Sequence, residues 1–196
     1  MAIASMVIVT IILFVSLFGV LAVYASRYKK VPPDKAMVVY GRKMHPGSNI
    51  GYHVLSGGGK FILPIIENTD ILDLGVKEVV LELDNVRTDP NEGSAPVRVK
   101  LTVLYKISSE PNAMMSAAEC LLGKTEEEIK RMVEVVIEGT LRSIATTMTP
   151  RSIDLEREVV GVKIGVQALH DLQQIGIEIR ALAIIRVHLK GVDKVG

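Results

Sequence analysis

The chain has 196 residues, of which 48% are hydrophobic, with a net charge of +1 and one cysteine, Cys120. A single cysteine excludes an intrachain disulfide and suits a reducing compartment. The body lacks a basic stripe interleaved with aromatics, which argues against nucleic acid as a partner.

The first predicted element dominates the chain. No charged residue occurs from Met1 to Ser26, and Ile3–Val23 is almost entirely Val, Ile, Leu, Phe and Ala, interrupted by Ser5, Thr10, Ser16 and Gly19. A bilayer core about 30 Å thick takes roughly 20 such residues as one helix. A cleavable signal peptide would carry a basic start and a shorter apolar centre. This run has no Lys or Arg ahead of it and is too long, so it reads as a permanent anchor. Tyr24 and Tyr28 stand where aromatic rings favour the lipid–water boundary. Arg27, Lys29 and Lys30 follow, and basic flanks stay on the cytoplasmic side. The charge is unevenly placed. Residues 27–43 carry six basic residues against Asp34, net +5, and the remaining 17 basic and 21 acidic residues give −4. The basic end therefore faces the anionic leaflet.

About 170 residues follow the anchor, enough for one good-sized domain or two small ones. Val31-Pro32-Pro33-Asp34 reads as a stiff connector. Lys35–Gly41 is a strand, and His45–Gly51 a loop. Ser56-Gly57-Gly58-Gly59 is a turn. It leads into Lys60–Ile66, an apolar run whose Pro64 suits an edge strand or an extended loop. From Thr69 to Leu83 the sequence alternates, with Leu72, Leu74 and Val76, then Val79, Leu81 and Leu83, and a bulge near Lys77-Glu78. Thr88–Ala95 is a turn. Val97–Ile107 is the cleanest strand, apolar at every second position.

The period then changes. Ser109 is placed to cap a short helix with Ala113, Met114, Ala117, Ala118 and Leu121 on one side, ending at Gly123. Thr125-Glu126-Glu127-Glu128 is a capping box for a longer helix that buries Ile129, Met132, Val133, Val136, Leu141 and Ile144. A third helix, about Leu155–Gln174, shows an apolar stripe of Leu155, Val159, Val162, Val166 and Leu169. Gly176 ends it, and Ile177–Leu189 is a last strand. Strands, then helices, then a returning strand make an α+β domain with an antiparallel sheet and packed helices.

No catalytic site assembles from the sequence. Gly57-Gly58-Gly59-Lys60 lacks the Ser or Thr after Lys, and the following helix, that a phosphate-binding loop requires. His45, His53, His170 and His188 have no metal-ligand spacing among themselves or with Cys120. Cys120 sits near the apolar side of a short helix and reads as a core thiol. Asp70, Asp73, Glu78, Glu82 and Asp84 read as solvated strand positions. No cofactor is expected.

Three stretches together resemble a known group. They are Val31-Pro32-Pro33-Asp34-Lys35-Ala36-Met37-Val38-Val39-Tyr40-Gly41 after a transmembrane start, Ser56-Gly57-Gly58-Gly59-Lys60-Phe61-Ile62-Leu63-Pro64-Ile65-Ile66-Glu67, and Asp171-Leu172-Gln173-Gln174-Ile175-Gly176-Ile177-Glu178-Ile179. With the helix pair around Ala117-Ala118-Glu119 and Thr125–Ile129, they are similar to prokaryotic flotillins of the SPFH (band 7) family. The resemblance implies an anchor with a basic flank at 1–28, a first, strand-rich SPFH subdomain at 29–110, a second of helices and a returning strand at 111–190, and a tail at 191–196. It also implies a Glu/Ala-rich coiled coil beyond the last strand, of which residues 190–196 carry no trace.

By that resemblance the protein is a single-pass cell-membrane scaffold, not an enzyme. It would form homo-oligomeric rings or cages that organise microdomains, with its SPFH domain cytoplasmic and an NfeD-type membrane protein as partner. The alternative is a regulatory module that encloses a membrane-bound AAA protease or transporter. The residues expected to touch membrane are Arg27, Tyr28, Lys29 and Lys30, with Phe61, Ile62, Leu63, Ile65 and Ile66 dipping into the interface.

Overall fold

A computed structural model describes residues 2–41, 51–63, 66–89 and 96–189. The expected loop at His45, most of the turn at 88–95, Ile65 and the tail lie outside the described residues. The chain divides into two compact units, Met1–Ile71 and Leu72–Gly196.

In the first unit, α1 (Ala2–Ser26) is one helix. Every described side chain from Met6 to Ser26 is exposed, and Met6–Ser26 is long and apolar enough to cross a membrane. Its few hydroxyls turn inward. Thr10 Oγ1 donates to the Met6 carbonyl at 2.9 Å and Ser26 Oγ to the Val23 carbonyl at 2.8 Å. Such back-bonding satisfies these two hydroxyls within the helix itself.

Antiparallel pairing joins β1 (Tyr28–Tyr40) to β2 (Tyr52–Phe61), and β3 (Asn68–Asp73) lies on the other side of β1. Two sequence expectations change here. The proline connector is part of β1, and the glycine turn is part of β2. They lie opposite each other: the register runs Val31↔Gly58, then Ala36↔Ser56, with Pro32–Lys35 looped out against Gly57 alone. Proline cannot supply ladder donors, so it is tolerated in a bulge. Gly57 and Gly58 carry φ of 75° and 82°, which lets β2 bend to follow it. Val31, Met37, Val39 and Ile62, with Leu55, form the core of this unit.

In the second unit the alternating stretch is two strands rather than one bulged strand. β3 ends at Asp73, and β4 (Lys77–Val86) starts in another sheet, of order β4-β5-β6. The break falls at Leu74–Val76, where Gly75 N–H donates to Asp73 Oδ1. Strand β5 (Val97–Ile107) is central and pairs antiparallel with β4 and with β6 (Ile177–Leu189). One face of β5, Val97, Val99, Leu101, Val103, Tyr105 and Ile107, is buried. Because β5 pairs with both β4 and β6, the first strands of this sheet belong with its helices, and the two units divide near residue 71.

Four helices complete this unit: α2 (Pro111–Leu121), α3 (Glu126–Ala145), α4 (Pro150–Leu155) and α5 (Arg157–Gln174). Ser109 does not cap α2. Glu110 holds that position without a side-chain bond, and the Ser109 hydroxyl accepts from Lys106 Nζ instead. The capping box of α3 is present in full. Glu128 N–H donates to Thr125 Oγ1 at 3.2 Å, and Thr125 N–H donates to Glu128 Oε2 at 2.7 Å. Ile137 joins Val133, Leu141 and Ile144 in the buried face, whereas Ile129, Met132 and Val136 are half-buried.

The third helix departs most. It is broken at Glu156, where φ is −108° and ψ is 36°. The buried side of α5 is Val160, Gly161, Ile164, Ala168 and Leu172. Most of the expected stripe points outward, with Leu155 72%, Val159 48%, Val162 66% and Val166 68% exposed, whereas Leu169 is half-buried. On the inward side Gly161 lies against β6, where a Cβ would meet Leu182 at 3.5–3.6 Å, an ordinary contact distance.

Candidate membrane-facing site

Only Arg27 separates the end of α1 from the start of β1. Arg27 N–H donates to the Tyr24 carbonyl at 3.2 Å, and its own carbonyl accepts from Ile62 N–H at 3.2 Å. The register continues this junction: Tyr28↔Phe61, Lys29↔Lys60 and Lys30↔Gly59. Pairing thus brings residues 60–62 beside the basic collar, more than thirty residues away in sequence. Tyr24 of the helix stacks on Phe61 with ring centroids 4.8 Å apart and an angle of 23° between planes. Offset aromatic stacking of this kind contributes about 1 kcal/mol, and it ties the helix end to β2.

The expected contact residues separate into two groups. Arg27, Tyr28, Lys29 and Lys30 are exposed, as are Leu63 at 42% and Ile66 at 46%. Phe61 is half-buried under Tyr24. Ile62 leaves the set. It is only 5% exposed and packs with Val31, Met37 and Val39, because Ile62 alternates with Phe61 and so points to the other face. Lys60 Nζ is buried and lacks a hydrogen-bond partner among the described residues.

A cavity of about 340 Å³ opens where the helix meets the sheet, and its wall includes Ser26, Arg27, Lys29, Tyr40, Glu67 and Thr69. Lys29 Nζ donates to Thr69 Oγ1 at 2.9 Å. Glu67 is 7% exposed. Its Oε2 accepts from Leu63 N–H at 3.1 Å, and its own N–H donates back to the Leu63 carbonyl at 2.8 Å. No cation of the described residues pairs with Glu67. Sequence reading passed over this carboxylate. Its one signal is its place directly after an apolar run, and burial of a carboxylate becomes visible only in the fold.

The candidate chemical groups stay apart. Gly57–Lys60 lies within a strand and opens no helix. His53, His170 and His188 are exposed and Cys120 is half-buried in α2. Among the described residues, no three His, Cys, Asp or Glu side chains converge as a metal set. Asp73, Glu78, Glu82 and Asp84 are exposed, with Asp73 paired to Lys77 at 3.4 Å and Asp84 paired to Arg98.

The SPFH domain / Band 7 family profile matches residues 29–191. Among curated proteins, the chain is 29% identical over 180 residues to "Flotillin-like protein FloT" of Bacillus subtilis (strain 168), covering 88% of this chain and 35% of that protein. It is 28% identical over 157 residues to "Flotillin-1" of Homo sapiens, covering 80% and 35% respectively. The chain therefore spans about a third of the length of these relatives.

Proposed function

The chain belongs to the SPFH domain / Band 7 family, and from that membership we propose that it is a membrane-anchored scaffold whose copies associate side by side. In this reading α1 crosses the membrane and the collar of Arg27, Lys29 and Lys30 holds the body on its cytoplasmic side. Likeness to flotillins supports a role in gathering lipids and membrane proteins into microdomains, in rings or cages, with an NfeD-type partner.

One observation carries the self-association. Val159, Val162 and Val166 stand in an exposed line along α5 at spacings of three and four residues. An aliphatic seam with heptad spacing is what a second helix packs against. Glu158 and Lys163 flank the line on opposite sides, so the surface offers both charges to a copy of itself. Tethering to one leaflet raises the effective concentration of such copies, and weak contacts then suffice.

Size analysis of the detergent-extracted full chain tests this. The native chain is expected as an oligomer and the Val162→Glu/Val166→Glu double variant as a smaller species with the same helical content. A native chain that runs only as a monomer, or a double variant of unchanged size, would refute it.

A further inference from the structure

We propose that the cavity at the foot of α1 binds the headgroup of a phospholipid carrying both a phosphate and a primary ammonium, of the phosphatidylethanolamine type. This rests on the reading of α1 as a membrane span. Met6–Ser26 contains 21 residues, which at 1.5 Å each reach about 30 Å, the thickness of the hydrocarbon core. Ser26 and Arg27 then stand at headgroup depth, and both line the cavity.

The cavity offers two opposite charges. Arg27 and Lys29 present cations to a phosphate, and Arg27 suits its geometry with a planar fork of donors. Glu67 presents a buried carboxylate that has one backbone donor and no cation among the described residues. A buried carboxylate needs further donors or a positive charge to offset lost hydration. A primary ammonium supplies both. A trimethylammonium has no N–H to give, and a glycerol headgroup has no positive charge, so the site selects against phosphatidylcholine and phosphatidylglycerol. Tyr40 and Thr69 add hydroxyls to the same wall. A purely anionic lipid would satisfy Arg27 and Lys29 but leave Glu67 repelled.

The test uses the full chain in phosphatidylcholine nanodiscs with equal minor fractions of phosphatidylethanolamine and phosphatidylglycerol. Native mass spectrometry of the extracted protein reads which lipid stays bound. Phosphatidylethanolamine is expected to be retained over either competitor by about tenfold, the effect of one charge-assisted hydrogen bond. Glu67→Gln keeps the shape and the Leu63 contact, and should erase that preference. Arg27→Gln or Lys29→Gln should lower retention of every phospholipid. Lys30→Gln, outside the cavity, should leave the ratio between lipids unchanged. Soluble glycerophosphoethanolamine should displace the lipid. Equal retention of the minor lipids by the native chain, an unchanged preference in Glu67→Gln, or no displacement by the soluble headgroup would overturn the proposal. A chain that fails to enter the nanodisc refutes the anchored reading, whereas one that enters and shows no preference refutes only this site.

Discussion

Gly176, at the step from α5 into β6, lies directly against Ala117 of α2. A Cβ placed on Gly176 would fall 2.6 Å from the Ala117 Cβ and closer still to the Ala113 carbonyl. Its φ is 78°, a left-handed conformation that side chains rarely adopt. The backbone there also holds the helix start, since Ser108 N–H donates to the Gly176 carbonyl at 2.9 Å.

Gly176→Ala is therefore expected to destabilise the second unit by about 3 kcal/mol, combining left-handed strain with overpacking. Gly165→Ala has nothing within 4 Å to strike, and should stabilise by about 1 kcal/mol through helix propensity. Thermal melting of the detergent-extracted chain compares the two. Equal shifts would contradict the close approach of α2.

Opposite faces of one turn of α5 should behave differently. Ile164 is fully buried, so Ile164→Ala is expected to cost about 2–5 kcal/mol. Val162 is 66% exposed, so Val162→Ala should change stability by about 0.5 kcal/mol or less while weakening self-association. Denaturant unfolding and size analysis of the same samples separate the two effects.

A pH dependence is expected at the alkaline end. Lys77 Nζ lies 3.0 Å from Glu126 Oε2 and 3.4 Å from Asp73 Oδ2. Burial works to lower its pKa, but the bond to Glu126 and the charges of Asp73 and Glu126 outweigh it and raise the pKa above the ordinary 10.5. Tyr105, directly across the strand pair, is also raised, chiefly by burial. A raised pKa contributes stability that is complete below the unfolded value and lost as pH rises through the folded one. Melting temperature should thus fall above about pH 10. Lys77→Met should retain only the Tyr105 share of that slope, and an unchanged slope would remove Lys77 from the account.

At the acid end the capping box of α3 responds in the opposite sense. The Thr125 backbone N–H, and then its hydroxyl, hold the Glu128 pKa below the ordinary 4.5. That contribution is present above 4.5 and lost as pH falls through the lowered value. Thr125→Ala is expected to cost about 1 kcal/mol at neutral pH. Reduced protection of the Glu128 amide in acid, relative to its intrinsic exchange rate and absent as a pH difference in Glu128→Gln, is the measurable outcome.

The helix of α1, the strand β5 and the capping box of α3 were legible in the sequence because each follows from a local cause: an uninterrupted apolar run, strict alternation, and two side chains three residues apart. The flotillin-like stretches likewise pointed to the family. Tertiary structure alone decided which side of α5 is buried. Hydropathy does not separate the valine stripe from the side of Val160, Ile164, Ala168 and Leu172, and packing of α5 on β6 and α3 buries the latter, so Val162 and Val166 face out. The same holds at the membrane collar. A bulge of Pro32–Lys35 against Gly57 sets the register that carries Phe61 to Tyr24, and the fold around it seals Glu67 beside Arg27 and Lys29. Pairing across more than thirty residues depends on backbone hydrogen bonds that every residue except proline can both donate and accept, so no local pattern announces it.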